Sequence, residues 1–156
     1  YEGTDALMLS AETTVGDFDL NINAVLMDES NQEAFFNGPV VNYVGLTSLP
    51  ELRYQVNLGH TLQAVPNLYL NLGYEFIDEV ADTTDANYKA TSMVDSMGQL
   101  NVRAVYTVPG MENLSLTLAV KNATKEDPPL ASNGTYNRLL HPIFGMQTFL
   151  GFKLEL

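Results

Sequence analysis

The feature that most constrains this chain is an alternation of apolar and polar residues that recurs along its length. Between Glu51 and Gln63, every second residue from Leu52 to Leu62 is aliphatic, aromatic or histidine, and the residues between them are polar or glycine. Successive side chains of a β-strand point to opposite faces of its sheet, so this stretch predicts a strand with one apolar and one polar face. The same pattern predicts seven strands, within residues 7–15, 18–26, 51–63, 68–76, 99–108, 114–121 and 150–156.

The length and spacing of these strands favour a sheet that crosses a membrane. Most of them reach the roughly 9–11 residues that a tilted membrane strand needs, whereas strands of soluble proteins usually have about 5–6. Short connections at residues 16–17, 64–67 and 109–113 alternate with long polar ones at about 28–50, 78–93 and 122–143. Outer-membrane barrels have short turns at one rim and long loops at the other, so the pattern predicts an all-β fold, an antiparallel transmembrane β-barrel segment.

The polar face carries charged side chains that a dry protein core would not accept. Burying one uncompensated charge costs on the order of several kcal/mol, so this face must meet solvent or a water-filled lumen. The apolar face must then meet either lipid or another protein layer. In a membrane barrel, the polar face lines the lumen, and we expect its basic groups to pair with nearby carboxylates there. The charges predicted to face the lumen are Arg53, Glu75, Arg103, Lys121 and Lys153.

Aromatic residues lie towards the strand ends on the apolar face, where barrels carry the aromatic girdles of the two membrane interfaces. The residues predicted to form these girdles are Phe18, Tyr54, Tyr74, Phe76, Tyr106 and Phe152. His60 falls on the same face near the rim of short turns, where we expect it to have a structural role.

Composition excludes several classes of protein. The chain has 156 residues, with 7 basic against 19 acidic side chains and a net charge of −12, and it lacks the clustered Lys and Arg that nucleic-acid binding needs. It contains no cysteine, which excludes disulfides, thiol catalysis and Cys-ligated zinc. The sequence contains no apolar run of about 18 residues, so it predicts no transmembrane helix, but a β-barrel needs no such run.

No catalytic or metal-binding pattern stands out. His60 and His141 are the only histidines and lie far apart in the sequence. The acidic residues from Asp78 to Asp85 lack the spaced oxygen ligands and central glycine of a calcium loop, so a solvated loop is expected there. We find no Ser-His-Asp arrangement and no glycine-rich phosphate loop, and we expect a protein that is not an enzyme and holds no metal or cofactor.

The odd number of strands indicates part of a larger barrel. Bacterial single-chain barrels have even strand counts, and seven strands alone would leave two bare edges in lipid. The sequence begins at Tyr1 without Met, so we expect a processed product or a piece of a longer protein, with residues 1–156 as a C-terminal barrel portion without a plug. Two alternatives stay open. An eighth strand at Val40–Leu46 predicts a small self-standing barrel with a structural or adhesive role, and the other is a soluble β-sandwich binding module.

Several stretches resemble TonB-dependent outer-membrane receptors. The run from Leu116 to Pro129 resembles the penultimate strand and following loop of that family, where V-x-N-L-F-D-x-D-P-P is frequent. The residues kept from this pattern are Asn122, Asp127, Pro128 and Pro129, and Ala123-Thr124 replaces Leu-Phe.

Two further stretches add to this resemblance. Leu49 to Leu58 is similar to the strand that follows a Leu-Pro in many members. The end of the chain is similar to the Gly-x-x-apolar-x-apolar signal read by the barrel assembly machinery, with Gly151, Leu154 and Leu156 at its positions.

The resemblance implies a barrel of about 22 strands closed around an N-terminal plug, of which this chain supplies about the last third of the wall. It implies a transporter in the outer membrane of a Gram-negative bacterium that takes up a ferric siderophore, a vitamin or an oligosaccharide. The implied partners are outer-membrane lipid, the remainder of the barrel and plug, the TonB complex acting through the plug, and the barrel assembly machinery. No residue that binds the substrate is identified.

Overall fold

A computed structural model describes residues 3–46, 49–134 and 144–155 of the chain, and these residues form strands, turns and loops. No helix long and apolar enough to span a membrane occurs in these three ranges. The strands are β1 (Gly3–Val15), β2 (Phe18–Glu33), β3 (Val40–Asn42), β4 (Leu52–Thr61), β5 (Leu68–Ile77), β6 (Val80–Thr84), β7 (Ala90–Val94), β8 (Met97–Thr107), β9 (Leu114–Lys121) and β10 (Gln147–Leu154).

Seven long strands form one antiparallel sheet in the order β1-β2-β4-β5-β8-β9-β10, which we call the main sheet. Each of these strands pairs with its neighbour along this path, and all the pairs are antiparallel. The prediction of an all-β antiparallel fold with seven long strands is therefore confirmed. Among the described residues, β1 and β10 are the edges of the sheet and do not pair with each other.

The pairing register joins the alternating strands into two continuous faces. Ile22 lies opposite Val56 on β4, Val56 lies opposite Tyr74 on β5, and Tyr74 lies opposite Leu100 on β8. Directly opposed residues of antiparallel strands point to the same side of the sheet. The apolar positions of all seven strands consequently share one face, the apolar face, and the polar positions share the other, the polar face.

The apolar face is not covered by a second layer of the described structure. Leu72 and Leu118, in the middle of β5 and β9, are 47% and 44% exposed, and Leu150 on the edge strand β10 is 84% exposed. A soluble β-sandwich would bury such positions against a second sheet about 10 Å away. The apolar face therefore requires an apolar surrounding that lies outside these residues.

Two of the predicted long loops contain additional strands. β6 and β7 pair as a separate hairpin, which occupies the predicted loop at residues 78–93 and ends one residue beyond it. β2 continues to Glu33, beyond the predicted end at residue 26, and β3 pairs with its outer end at Asn31–Glu33. Because β4 pairs with β2 only up to Leu26, β3 lies beyond the part of β2 that joins the long strands and does not supply the eighth long strand considered at Val40–Leu46.

A tyrosine fills the space above a glycine on the polar face. The ring of Tyr69 on β5 lies over Gly59 on β4, and a Cβ atom added at Gly59 would stand 1.8 Å from the Tyr69 hydroxyl oxygen. The hydroxyl donates to the Asp19 carboxylate at 3.3 Å. Glycine at residue 59 therefore allows one aromatic side chain to connect three strands.

We expect Gly59→Ala to destabilise the sheet by about 1–3 kcal/mol, because the added methyl group displaces the Tyr69 ring. In a Tyr69→Ala background, the same substitution should cost close to nothing. Chemical unfolding of the four proteins of this double-mutant cycle measures the difference. Equal costs in both backgrounds would show that the close contact is unimportant.

Candidate functional site

Carboxamide side chains recur on the polar face of the main sheet. Asn21 lies opposite Asn57, and Asn23 lies opposite Gln55. The Asn23 amide donates to the Asn21 carboxamide oxygen at 2.7 Å. A carboxamide both donates and accepts hydrogen bonds without carrying charge, so this face is suited to water and to neutral polar ligands. No role is predicted for these amides from the sequence, although Asn and Gln recur at its polar strand positions.

The five charges predicted to face a lumen lie on the polar face. Glu75 is opposite Gln55 and Gln99, and Arg103 is opposite Asn71. The other three have partners of different kinds: Arg53 is opposite Ile77, Lys121 is opposite Gln147, and Lys153 is opposite Ser115. The pairing register places these charges on one face of the sheet. That this face lines a lumen stays a prediction.

Few of the expected ion pairs form among the residues that the structure describes. Within the described ranges, the salt bridge that forms joins Lys153 to Glu155 on the last strand and just beyond it. Arg53, Arg103 and Lys121 form no salt bridge there, because uncharged side chains occupy the cross-strand positions opposite all three. Their pairing with carboxylates elsewhere stays a prediction.

The long loops contact one another at one end of the main sheet. The Ala81 amide donates to the Gly45 carbonyl at 2.6 Å, which joins β6 to the loop that follows β3. Val80, Val94 and Ala131 form a buried apolar cluster between the hairpin and the loop after β9. We call these joined segments, residues 43–46, 80–94 and 122–134, the loop platform.

A carboxylate strengthens the contact between two parts of the loop platform. Asp82 accepts a hydrogen bond from the Ser132 amide at 2.8 Å and a second one from the Ser132 hydroxyl. These two bonds lower the pKa of Asp82 below its ordinary value of 3.8, the hydroxyl contributing most. Asp85 accepts from the amides of Lys89 and Asn87, and these bonds lower its pKa as well.

Asn122 closes the first turn of the loop after β9. It is 1% exposed and has a positive φ of 52°. Its carboxamide donates to the Glu126 carbonyl at 2.7 Å and accepts from the Glu126 amide at 2.9 Å. The backbone amide of Asn122 donates to the Asn101 carboxamide oxygen at 3.1 Å. The asparagine that contributes to the receptor-like pattern thus has a structural role in this chain.

Acidic residues surround the loop platform. In the described ranges, the basic residues in and around it are Arg53, Lys89, Lys121 and Lys125, against carboxylates at Asp28, Glu29, Glu33, Glu51, Asp78, Glu79, Asp82, Asp85, Asp95, Glu126 and Asp127. Such an excess produces a negative potential that attracts cations. No group of three or more side chains in the described part of the chain could hold a metal ion.

Aromatic side chains mark both ends of the apolar face. Tyr54 stacks on Phe76 at 5.0 Å between ring centroids near the loop platform, and Phe18 stacks on His60 at 4.3 Å near the short turns. The His60 ring nitrogen Nδ1 also lies 2.8 Å from the Asp17 carbonyl, as expected for a structural histidine. His141 lies outside the described residues.

The proposed assembly signal falls on the last strand. Gly151 and Leu154 are in β10, where they lie opposite Thr117 and Leu114. Leu156 lies outside the described residues.

Comparisons with known proteins find a likeness in structure. No protein-family model matches the sequence, and no curated protein matches it. The structure is similar to the crystal structure of the siderophore receptor PiuA from Acinetobacter baumannii, with a TM-score of 0.61 and 17% sequence identity. The match covers 95% of this chain and 21% of that one, so the chain spans about a fifth of the receptor's length. The chain has a receptor-like β fold.

We expect the contact between Asp82 and Ser132 to weaken in acid. The ionised carboxylate accepts both bonds, so the contact contributes to stability above the ordinary carboxyl pKa and is lost as the pH falls through the lowered pKa of the folded state. Amide hydrogen exchange at Ser132, followed from about pH 6 to pH 2 and corrected for intrinsic exchange, measures this loss. In Asp82→Asn, protection should no longer change with pH, and a persisting change would contradict the assignment.

Substitutions at Asn122 separate its hydrogen bonds from its backbone conformation. Asn122→Gly loses both carboxamide bonds to Glu126, at a cost of about 1–3 kcal/mol in local stability. Asn122→Ala should cost about 1 kcal/mol more, because alanine is strained at positive φ. Hydrogen exchange at the Lys125 amide, which donates to the Asn122 backbone carbonyl and keeps this acceptor in both variants, reports both effects. An alanine variant as stable as the glycine variant would show that the positive φ at residue 122 does not strain alanine.

Proposed function

We propose that this chain forms part of the wall of a TonB-dependent outer-membrane transporter. In this proposal the seven long strands of the main sheet cross the outer membrane of a Gram-negative bacterium, and the rest of the barrel and a plug come from outside these residues. The role is one of transport, with no catalytic step.

The uncovered apolar face is the observation that carries this proposal. Seven strands present leucine, valine and aromatic side chains on one side, and central positions such as Leu72 remain half exposed. Lipid tails provide the apolar surrounding that these side chains need, and the aromatic residues at both ends match the two interfaces of a bilayer. The likeness of 95% of the chain to part of a siderophore receptor supports the same interpretation.

The alternatives account for less of the structure. A soluble sandwich requires a second apolar layer, and the described residues contain none over the apolar face. A small self-standing barrel requires its edges to pair, whereas β1 and β10 remain apart in the part of the chain that is described. Lipid does not tolerate bare sheet edges, so the main sheet needs further strands on both sides.

The ligand would enter from the end that carries the loop platform. By analogy with the receptor that the chain resembles, we propose a ferric siderophore as the first candidate, with a vitamin or an oligosaccharide as the other classes. The TonB complex would act through the plug. The barrel assembly machinery would recognise Gly151, Leu154 and Leu156 when it inserts the protein into the membrane. Arg53, Glu75, Arg103, Lys121 and Lys153 would then face the lumen.

Fractionation of cells that express the native protein tests the location, and uptake of labelled ferric siderophores by cells with and without it tests the transport. We expect the protein in the outer-membrane fraction and a loss of uptake when TonB is absent. Recovery of the protein from the aqueous fraction without detergent would overturn the membrane assignment.

A pair of neighbouring substitutions tests which face meets lipid. Leu72→Arg introduces a charge in the middle of the apolar face and should cost about 2–4 kcal/mol in a bilayer. Asn71→Arg places the same side chain on the polar face of the same strand and should cost about 1 kcal/mol or less. Urea unfolding of both variants in lipid vesicles measures the difference. Similar costs would contradict the assigned orientation.

A further inference from the structure

A pocket lies on the polar face, at the end of the main sheet that carries the loop platform. Its volume is about 480 Å³, within the range of about 300–1,000 Å³ that is usual for small-molecule sites. Strands β1, β2, β4 and β5 contribute side chains to it from two neighbouring cross-strand rows. One row is mostly apolar and the other is polar, so a matching ligand needs both kinds of surface.

The first row places apolar side chains on the polar face. Met8 lies opposite Val25, which lies opposite Arg53, and Arg53 in turn lies opposite the last residue of β5, Ile77. Met8 is 77% exposed and Val25 is partly exposed, so both can contact a ligand, whereas Ile77 is nearly buried. Covering exposed apolar surface with another apolar group is favourable. The row therefore favours a ligand with an apolar side chain.

The second row supplies hydrogen-bonding groups. Ser10 lies opposite Asn23, and Gln55 lies between Asn23 and Glu75 in the same row. Asn23 accepts from the Ser10 hydroxyl at 2.9 Å and donates to Asn21 at 2.7 Å, so it is already engaged within the sheet. Gln55 is partly exposed, and its carboxamide can both donate and accept. A peptide bond also has one donor and one acceptor, so it is a suitable partner for Gln55.

Two opposite charges border the pocket without pairing. Arg53 on β4 is exposed and Glu75 on β5 is partly exposed, and neither forms a salt bridge within the described ranges. They are diagonal neighbours on adjacent strands, a relation that places two residues about 7–8 Å apart. The guanidinium only donates hydrogen bonds and the carboxylate only accepts them. A ligand with a carboxylate and an ammonium group can bind both, whereas Glu75 would repel a simple anion.

The spacing of these charges favours a dipeptide over a free amino acid. The ends of an extended dipeptide lie about 7 Å apart, whereas the amino nitrogen and carboxyl carbon of one amino acid are separated by only about 2.5 Å. A dipeptide is also neutral overall, as is the pair of charges that borders the pocket.

From these contacts we propose that the pocket binds a short zwitterionic peptide, of about two residues, with apolar side chains. Its carboxylate pairs with Arg53 and its amino group pairs with Glu75. Its peptide bond contacts Gln55, and an apolar side chain packs on Met8 and Val25. This ligand class lies outside those of the proposed function. The inference rests on that function in one respect, because transport requires the polar face to be open to solutes.

Saturation-transfer-difference NMR titration of the detergent-purified native protein provides the test. The probe is the dipeptide Leu-Leu. The comparison compounds are Ser-Ser, N-acetyl-Leu-Leu and Leu-Leu amide, which lack the apolar side chains, the ammonium group and the carboxylate respectively. We expect Leu-Leu to bind, and each comparison compound to bind about tenfold more weakly or less, because each has lost one set of contacts. Failure of Leu-Leu to bind, or equal binding of Ser-Ser, would overturn the assignment.

Two substitutions test which end of the peptide each charge binds. Arg53→Gln should weaken Leu-Leu binding about tenfold, the equivalent of one lost charged hydrogen bond, but should not weaken binding of Leu-Leu amide, which has no carboxylate to lose. Glu75→Gln should weaken Leu-Leu to a similar extent and should not weaken N-acetyl-Leu-Leu, which has no ammonium group. Equal losses for the charged and the blocked peptides would overturn the proposed contacts.

Arg103→Gln is the matched control. Like Arg53, Arg103 is exposed on the polar face and forms no salt bridge in the described ranges, but it lies outside the pocket. Its substitution should leave Leu-Leu affinity unchanged, and a loss as large as that of Arg53→Gln would count against the site. Peptide binding by a protein found outside the outer membrane would refute transport alone, and an outer-membrane transporter that binds no dipeptide would refute the pocket alone.

Discussion

The register of the main sheet is the constraint on which the rest of the structure depends. Side chains alternate between the faces of a strand, so a slip by one residue would turn every apolar side chain to the polar face. The short connections fix this register. Gly16, Asn67 and Gly110 each adopt a positive φ, which lets the chain reverse within a few residues. These turns therefore determine which side chains lie on the apolar face and which lie on the polar face.

Among the described residues, no second layer covers either face of the main sheet. The buried apolar core therefore lies at one end of the sheet, in the loop platform. Val80 and Val94 lie opposite each other in the β6–β7 hairpin and are almost completely buried, whereas the central leucines of the long strands are not. The loop platform is therefore held by a small apolar cluster and by hydrogen bonds such as those of Asp82 and Asn122. Small changes in these bonds should alter the loops without disturbing the long strands, whose ladders are independent of them.

The sequence predicts the long strands well and the loops poorly, for a physical reason. A strand with ten alternating positions repeats its signal several times, but β6 and β7 have five residues each and pair with register shifts, which interrupts the period. The β-branched residues around the Asp85 turn were the available signal for the hairpin. Ion pairing is hard to predict from the strand period because it depends on cross-strand neighbours, and Arg103 lies opposite the uncharged Asn71 and Ala119. The pocket beside Arg53 likewise has no signature in the sequence, because four strands contribute to it.

The distribution of charge suggests a division of tasks in the proposed transporter. The acidic residues around the loop platform create a long-range potential, which influences how fast a charged solute arrives but falls off within about 8–10 Å at physiological salt. The polar face below carries uncharged amides beside its charged groups, and the amides recognise a ligand through the direction of their hydrogen bonds. A neutral ligand gains little from the outer charge and must be selected by geometry. Selectivity for such a ligand would therefore depend on the carboxamides of the sheet, whose positions the pairing register fixes, more than on the loops.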